Sequence, residues 1–308
     1  MESAKVKADL IECTIPRNRR NSSKSTMPLT TNILGIFFAL TSAFIWGAGD
    51  FTGGFATRRA NQFQVLTVSA FSGLVILIAA ALVWREPFPM IRGLIFAALG
   101  GAAGALGIAA LYRGLSTGHA ASIAPTAAVT GAAVPAIFSG FTQGLPGQTQ
   151  LLGFALAALG IWMLSSNSGE EGSATYRELL TAALSGIGFG FFFVFLGQVE
   201  PGIIFTPIIV ARCFTLAIGL LLIRIYRLPL PSLSANPPAL LAGVLDAGGN
   251  LFYVLANQLT RLDIAAVLGS LYPASTVLLA SALLKQTVSP KQWFGVLISL
   301  TAIILITL

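Results

Sequence analysis

Three ionisable residues stand inside otherwise apolar stretches: Asp50 in Trp46-Gly-Ala-Gly-Asp50-Phe51, Arg212 in Ile208-Ile-Val-Ala-Arg212-Cys213, and Asp246 in Gly243-Val-Leu-Asp246-Ala-Gly-Gly-Asn250. A charge among hydrocarbon side chains is costly unless it pairs, meets water or holds a ligand, so each is a candidate site residue. Asn250, Tyr253 and Asn257 follow Asp246 at i+4, i+7 and i+11, which on a helix aligns all four on one face. That face offers a carboxylate, two amides and a phenol to a polar solute, and Gly248 and Gly249 beside it permit close approach. The same groups could instead hold helices together by hydrogen bonds. Arg212 could pair with either aspartate or receive a solute carboxylate. Asp50 has a simpler alternative, pairing at a membrane edge with Arg58 and Arg59 two turns on.

Aromatic residues join these charges. Ser42, Trp46 and Asp50 share a face at i, i+4 and i+8, and Tyr272 beside Pro273 carries a hydroxyl that needs a partner. The candidate solute-binding set is therefore Trp46, Asp50, Arg212, Asp246, Asn250, Tyr253 and Tyr272. The five phenylalanines between Phe189 and Phe195 read mainly as packing, as does the G-x-x-x-G of Gly100 and Gly104. Pro125, Pro135, Pro207 and Pro273 fall inside apolar runs and are expected to free backbone carbonyls and kink helices. Catalytic chemistry has little to work with. There is one histidine, His119, read as interfacial, and the two cysteines, Cys13 and Cys213, make no metal or redox pair. With no paired-carboxylate motif and no phosphate-binding glycine-lysine loop, the expectation is a protein that is not an enzyme and needs no metal or cofactor. Any work it does must draw on a gradient or on exchange.

The elements that would position these residues follow from composition. Hydrophobic residues make up 55% of the chain and charged residues 9%, against roughly 25% charged in soluble domains. Ten apolar runs recur: Ile33–Thr57, Phe63–Trp84, Gly93–Leu111, Ala120–Phe141, Gln150–Ser165, Leu179–Leu196, Ile203–Ile223, Ala239–Ala256, Ile264–Leu284 and Trp293–Leu308. Their lengths suit a hydrocarbon core about 30 Å thick. Runs apolar on all sides and this long are helices, because lipid cannot satisfy backbone polar groups and barrel strands are shorter and alternating. The fold class is thus an all-α integral membrane protein of ten transmembrane helices. The net charge of +7 does not indicate nucleic acid, since six of the eighteen basic residues crowd the first 24 positions and the rest are scattered.

The polar break Ser166–Glu178 divides the chain near its midpoint. Across it, Ala39, Ser42 and Gly47 recur as Ala182, Ser185 and Gly190 at a constant offset, Trp46 falls on Phe189, and Gln150-Leu-Leu-Gly153 recurs as Gln292-Trp-Phe-Gly295. The expected organisation is a polar N-terminal tail over 1–31, a first five-helix repeat over 32–167 and a second over 168–308. An odd helix number per half inverts the second half in the bilayer, an architecture that holds solute near the midplane. Met27, just ahead of the first run, is an alternative translation start. Basic residues vote narrowly for the N-terminus inside, and the tail decides that vote.

The segment Ala265-Ala-Val-Leu-Gly-Ser-Leu-Tyr-Pro-Ala-Ser-Thr-Val-Leu-Leu-Ala280 resembles the ninth helix of EamA-type carriers of the drug/metabolite transporter superfamily, and Gln292 to Leu305 resembles their last helix. Trp46-Gly47, Gly118-His-Ala-Ala-Ser-Ile-Ala-Pro125 and Gly153-Phe-Ala-Leu-Ala-Ala-Leu-Gly160 agree with the first half of that family, so the resemblance spans residues 33 to 308. It implies a secondary active transporter, commonly an exporter, of small metabolites such as amino acids or drug-like solutes. Alternating access in the plasma (inner) membrane is implied with it, with both termini cytoplasmic. Protons are a candidate coupling ion, with Asp246 as the responsive group. Substrate identity and oligomeric state are open. Where such carriers have an acidic residue after the fourth and ninth helices, this chain has Gly144 and Gln286. That departure keeps a second reading in view, a regulatory or assembly protein on a carrier scaffold.

The topology is testable by labelling. In a variant lacking Cys13 and Cys213, single cysteines Pro87→Cys and Gly172→Cys should react with impermeant maleimide from opposite sides of the membrane. Labelling from one side contradicts the inverted halves.

Overall fold

The computed structural model describes residues 29–115, 120–165, 175–284 and 289–307. Most of the N-terminal tail with Met27, His119, most of the central break and Gln286 lie outside the described residues. Among the described residues eleven α-helices follow one another: α1 (Leu29–Ala56), α2 (Gln62–Trp84), α3 (Ile91–Leu115), α4 (Ala120–Thr142), α5 (Gln148–Ser165), α6 (Tyr176–Leu196), α7 (Phe205–Ile225), α8 (Pro237–Leu259), α9 (Leu262–Gly269), α10 (Tyr272–Leu284) and α11 (Pro290–Thr307). One short 3-10 turn, Leu233–Ala235, precedes α8. No strand occurs among the described residues. Seven apolar spans are long enough to cross a bilayer, and Thr126–Thr142, Gln148–Met163 and Pro290–Ile306 are shorter apolar helical stretches.

Two expectations need correction. The run Ile264–Leu284 is not one helix but α9, a break at Ser270–Leu271, then α10. Pro273 is the cause: it has no N–H to give the Gly269 carbonyl, and its ring collides with that carbonyl in a continuous helix. Pro207 does not kink its helix, because it is the third residue of α7, where the N–H has no intrahelical partner in any case.

The repeat is built into the contacts. α1 packs most extensively on α8, as α6 does on α3; α2 packs on α7 and α5 on α11, each pair joining equivalent helices of the two halves. The Ser42 hydroxyl donates to the Gly249 carbonyl at 2.8 Å, and the Ser185 hydroxyl donates to the Gly107 carbonyl at 2.8 Å. A Cβ on Gly249 would strike the Trp46 indole, and one on Gly107 would press the Phe189 ring at 3.2 Å. A Cβ on Gly243 would strike Ser69 and Ser72, and one on Gly101 would meet Ala211 and Phe214. Each member of these pairs recurs at the offset read from the sequence. Glycine and serine at these points let two backbones approach while a hydroxyl satisfies a carbonyl.

Symmetry fails at one capping site. α2 carries its own N-cap, with Asn61 and Gln64 forming a capping box. The equivalent position before α7 is Ile204, which has no side-chain acceptor. Glu86, in the loop after α2, supplies one from the other half. Its carboxylate accepts from the Ile204 N–H, the Phe205 N–H at 2.8 Å, the Thr206 N–H at 2.8 Å and the Thr206 hydroxyl at 2.7 Å. A negative group at a helix N-terminus is favoured both by these donors and by the helix dipole. Replacing Glu86 with Ala strands all four donors and should cost about 1–3 kcal/mol of stability. The measurement is thermal unfolding of purified protein. An unchanged midpoint would mean that this cap contributes nothing.

Candidate functional site

The interior charges converge. Arg212 of α7 and Asp246 of α8 form an ion pair through Nη2 and Oδ2. Arg212 is buried, with 8% of its side chain exposed, whereas Asp246 keeps 42% of its side chain open. Asn250, one turn on, donates its amide to the Asp246 carbonyl at 2.6 Å and to Oδ2 at 3.4 Å. Gly73 of α2 makes room, since a Cβ there would meet the Gly243 carbonyl at 2.8 Å and Arg212 Nε at 3.3 Å. α7 and α8 otherwise scarcely touch: α7 packs on α2 and α3, α8 on α1 and α2. The ion pair therefore bridges a seam that has little other packing.

Beside it lies an aromatic trio. Trp46 of α1 stacks on Tyr253 of α8 with centroids 5.8 Å apart, and Phe193 of α6 touches both, at 5.7 Å from Trp46 and 4.6 Å from Tyr253. Gly249 and Gly269 sit against the Trp46 ring. Tyr253 is fully buried and its hydroxyl has no hydrogen-bond partner among the described residues.

Asp50 occupies a different environment from the edge pairing considered above. At about 100° per residue, it and Trp46 fall in the sector of α1 between Gly49 and Gly47. Gly49 faces Ala242, Leu245 and Asp246 of α8, and Gly47 faces Tyr272, Ser275 and Thr276 of α10. The lipid side of α1 lies elsewhere, marked by Phe37 at 60% and Phe44 at 58% exposure. Asp50 points between α8 and α10 and is nonetheless exposed. Tyr272, half-buried as the first residue of α10, has its carbonyl beside Gly47 on this side of α1. Arg58 and Arg59 lie over the Phe55 ring instead, at 5.7 and 5.5 Å, and no ion pair joins them to Asp50 among the described residues.

Packing is uneven along the bundle. All eight residues of α9 are buried, including Asp263, which pairs with Arg261 at 2.8 Å. Arg261 also donates to the carbonyls of Gln143 at 3.3 Å and Gly144 at 2.7 Å, tying the start of α9 to the end of α4. Toward the other end, α10 and the neighbourhood of Asp50 loosen.

The structure thus gathers Trp46, Asp50, Arg212, Asp246, Asn250, Tyr253 and Tyr272 around α1, α7, α8 and the α9–α10 break. Phe193 belongs to this set and was set aside as packing. The repeat offset could have found it, because it is the counterpart of Asp50. The other two charges have small counterparts, Ala70 for Arg212 and Gly104 for Asp246. The scaffold therefore stands without charge at these positions.

The sequence profile described as the EamA-like transporter family matches residues 33–166 and again residues 177–308. Among curated proteins, none matches this chain. A solved structure described only as "Crystal structure of protein" superposes with a TM-score of 0.71 at 19% identity, covering 89% of this chain and 98% of that chain. At that identity the likeness speaks for the fold.

The ion pair makes a testable demand. Arg212→Leu leaves Asp246 without its partner, at a cost below the roughly 3–5 kcal/mol of a fully buried pair because Asp246 is half open. The double variant Arg212→Leu/Asp246→Asn should recover most of the lost stability and expression. Near-normal stability of the single variant would contradict the pairing.

Proposed function

This chain belongs to the EamA-like transporter family, and on that premise we propose that it is a secondary active transporter working by alternating access. It is an integral membrane protein, and the cargo is a small metabolite such as an amino acid or a drug-like organic solute, moved outward. In this reading ten spans form two inverted repeats, residues 32–167 and 168–308, in the plasma (inner) membrane with both termini cytoplasmic. The observation that carries it is the Arg212–Asp246 pair of α7 and α8, with Asp50 on the side of α1 that faces α8 and α10, on a scaffold whose equivalent positions are Ala70, Gly104 and Phe193. Charges that the fold does not need, placed where membrane carriers hold solute, point to binding.

The roles divide by environment. In this reading Trp46, Asp50, Asp246 and Tyr272 meet the solute, Asn250 orients Asp246, Arg212 holds Asp246 until the seam opens, and Tyr253 backs Trp46. Protons are the coupling ion in this reading, because the proton occupancy of Asp246 depends on its distance from Arg212. Catalysis has no part in it. The rival regulatory reading drew on Gly144 and Gln286. At Gly144 the backbone itself is used: φ is +89°, which disfavours most side chains, and its carbonyl receives Arg261. An acid there is not required to hold the adjoining loop.

Flux in proteoliposomes tests the proposal. A panel of amino acids and drug-like amines should include at least one solute with saturable counterflow, absent from protein-free vesicles. Asp246→Asn should abolish accumulation driven by a pH gradient while sparing exchange. Absence of flux for every solute would favour the regulatory reading, and unchanged accumulation in Asp246→Asn would remove this residue from coupling.

A further inference from the structure

We propose that the α1–α2 loop, residues 57–61, and the α7–α8 loop, residues 226–236, together form a docking surface for the headgroups of anionic phospholipids in the adjoining leaflet. This holds whether or not the chain moves a solute. The two loops come from opposite halves and are fastened into one platform. Phe63 stacks on Tyr226 with centroids 4.9 Å apart. Gln64 donates its amide to the Pro229 carbonyl at 2.8 Å, and Asn236 donates its amide to the Ala56 carbonyl at 3.0 Å. Between the loops lies a cavity of about 180 Å³, with Arg59, Gln64, Ser232 and Asn236 on its wall beside Val65 and Leu230. A wall that mixes a guanidinium, amides and a hydroxyl with apolar side chains suits the junction between a lipid headgroup and its acyl chains.

Charge gives the ligand its class. Arg58, Arg59, Arg224 and Arg227 are all exposed here, and residues 56–64 and 224–240 contain no acid. None of the four joins an ion pair among the described residues. Arg58 and Arg59 gather over the single ring of Phe55, which leaves both charges intact. The opposite end of the bundle is built differently: Arg85, Arg92 and Arg261 are matched in number there by Glu86, Glu200 and Asp263. Guanidinium groups collected without a counter-charge repel one another, and phosphate oxygens both neutralise them and fit their forked donors. The same loop points to lipid as the source of the phosphate. Tyr226, Leu230 and Leu233 are exposed among the arginines. Such side chains rest in the interfacial layer of a bilayer, at the depth of the headgroups. Basic clusters at that depth bind anionic headgroups.

The test is lipid retention by the purified full-length protein in detergent, counted by native mass spectrometry. Phosphatidylglycerol and phosphatidylcholine with identical acyl chains are offered at equal concentration. The protein should retain phosphatidylglycerol roughly tenfold or more over phosphatidylcholine. Arg59→Gln and Arg224→Gln should each lower that preference about fivefold, and Arg58→Gln/Arg59→Gln should lower it further. Arg85→Gln/Arg92→Gln removes the same charge from the opposite end and should change it by less than about twofold. Arg58→Lys/Arg59→Lys keeps the charge and should keep most of the preference. The single variants decide the matter if the double glutamine variant does not fold. Equal retention of the two lipids by the wild type, or an undiminished preference in Arg59→Gln and Arg224→Gln, would overturn the proposal. So would a loss in Arg85→Gln/Arg92→Gln as large as in the variants of the platform. Displacement of phosphatidylglycerol by inorganic phosphate at equal concentration would overturn it as well, because the site would then bind phosphate and not a lipid.

Discussion

Hydrocarbon offers no hydrogen-bond partner, and that constraint governs the rest of this structure. It makes the apolar runs helical and decides where a helix may start, stop or break. α2 begins on its own capping box, whereas α7 begins on Ile204 and borrows the Glu86 carboxylate from the other half. The same constraint puts Ser42 on the Gly249 carbonyl and Ser185 on the Gly107 carbonyl, so each close crossing of helices is also a satisfied polar contact. Against this background the unsatisfied groups stand out. Among the described residues, Asp50 has no ion pair and the buried Tyr253 hydroxyl has no acceptor; Trp46, one turn before Asp50 on α1, stacks on Tyr253, near the Arg212–Asp246 pair.

The two halves share a backbone plan and differ in what they place on it. Small residues occur at matching points because α1 on α8 and α6 on α3 must come equally close. At these seams the charged pair sits on one side only. The α7–α8 seam holds Arg212 and Asp246; the equivalent α2–α3 seam holds Ala70 and Gly104. A symmetric scaffold can exchange the roles of its halves as it moves, while a single charged seam gives the movement something to act upon.

Much of this was legible in the sequence because membrane burial simplifies the code. A charge within an apolar run has few explanations, so Arg212 and Asp246 announced themselves, and helical spacing put Asn250 and Tyr253 with Asp246. The repeat was visible at Ser42 and Ser185 since a hydroxyl satisfying a facing carbonyl cannot be exchanged freely for a methyl group. Other features could not be read. Glu86 looked like an ordinary loop acid, because its partners are backbone N–H groups that carry no residue signature. Phe193 looked like its neighbours, since five phenylalanines in seven residues conceal which ring turns inward. Pro273 was recognised, but whether it bends or breaks a helix depends on the packing around Gly269, where an added Cβ would meet the Trp46 ring at 3.2 Å. Asp50 could be assigned to the interior only once the neighbours of Gly47 and Gly49 were known.

The position of the ion pair bears on how site and motion are connected. Two helices held by broad packing would keep Arg212 and Asp246 together whatever happened elsewhere. α7 and α8 are not so held; each is anchored to other helices, α7 through α2 and α3, α8 through α1 and α2. A displacement of α8 with α1 relative to α7 with α3 would change the Arg212–Asp246 distance directly, and α2, packed on both α7 and α8, is the helix it would have to slide against. Asp50 rides on α1 and Asp246 on α8, so both carboxylates would move together while Arg212 stayed behind with α7. Parting the pair would leave a second unpaired carboxylate and a buried cation without a partner, a state of high energy unless a solute, a proton or water takes up the exposed charges. The ion pair thus links seam opening to occupancy, which is the linkage a carrier requires if it is not to open empty.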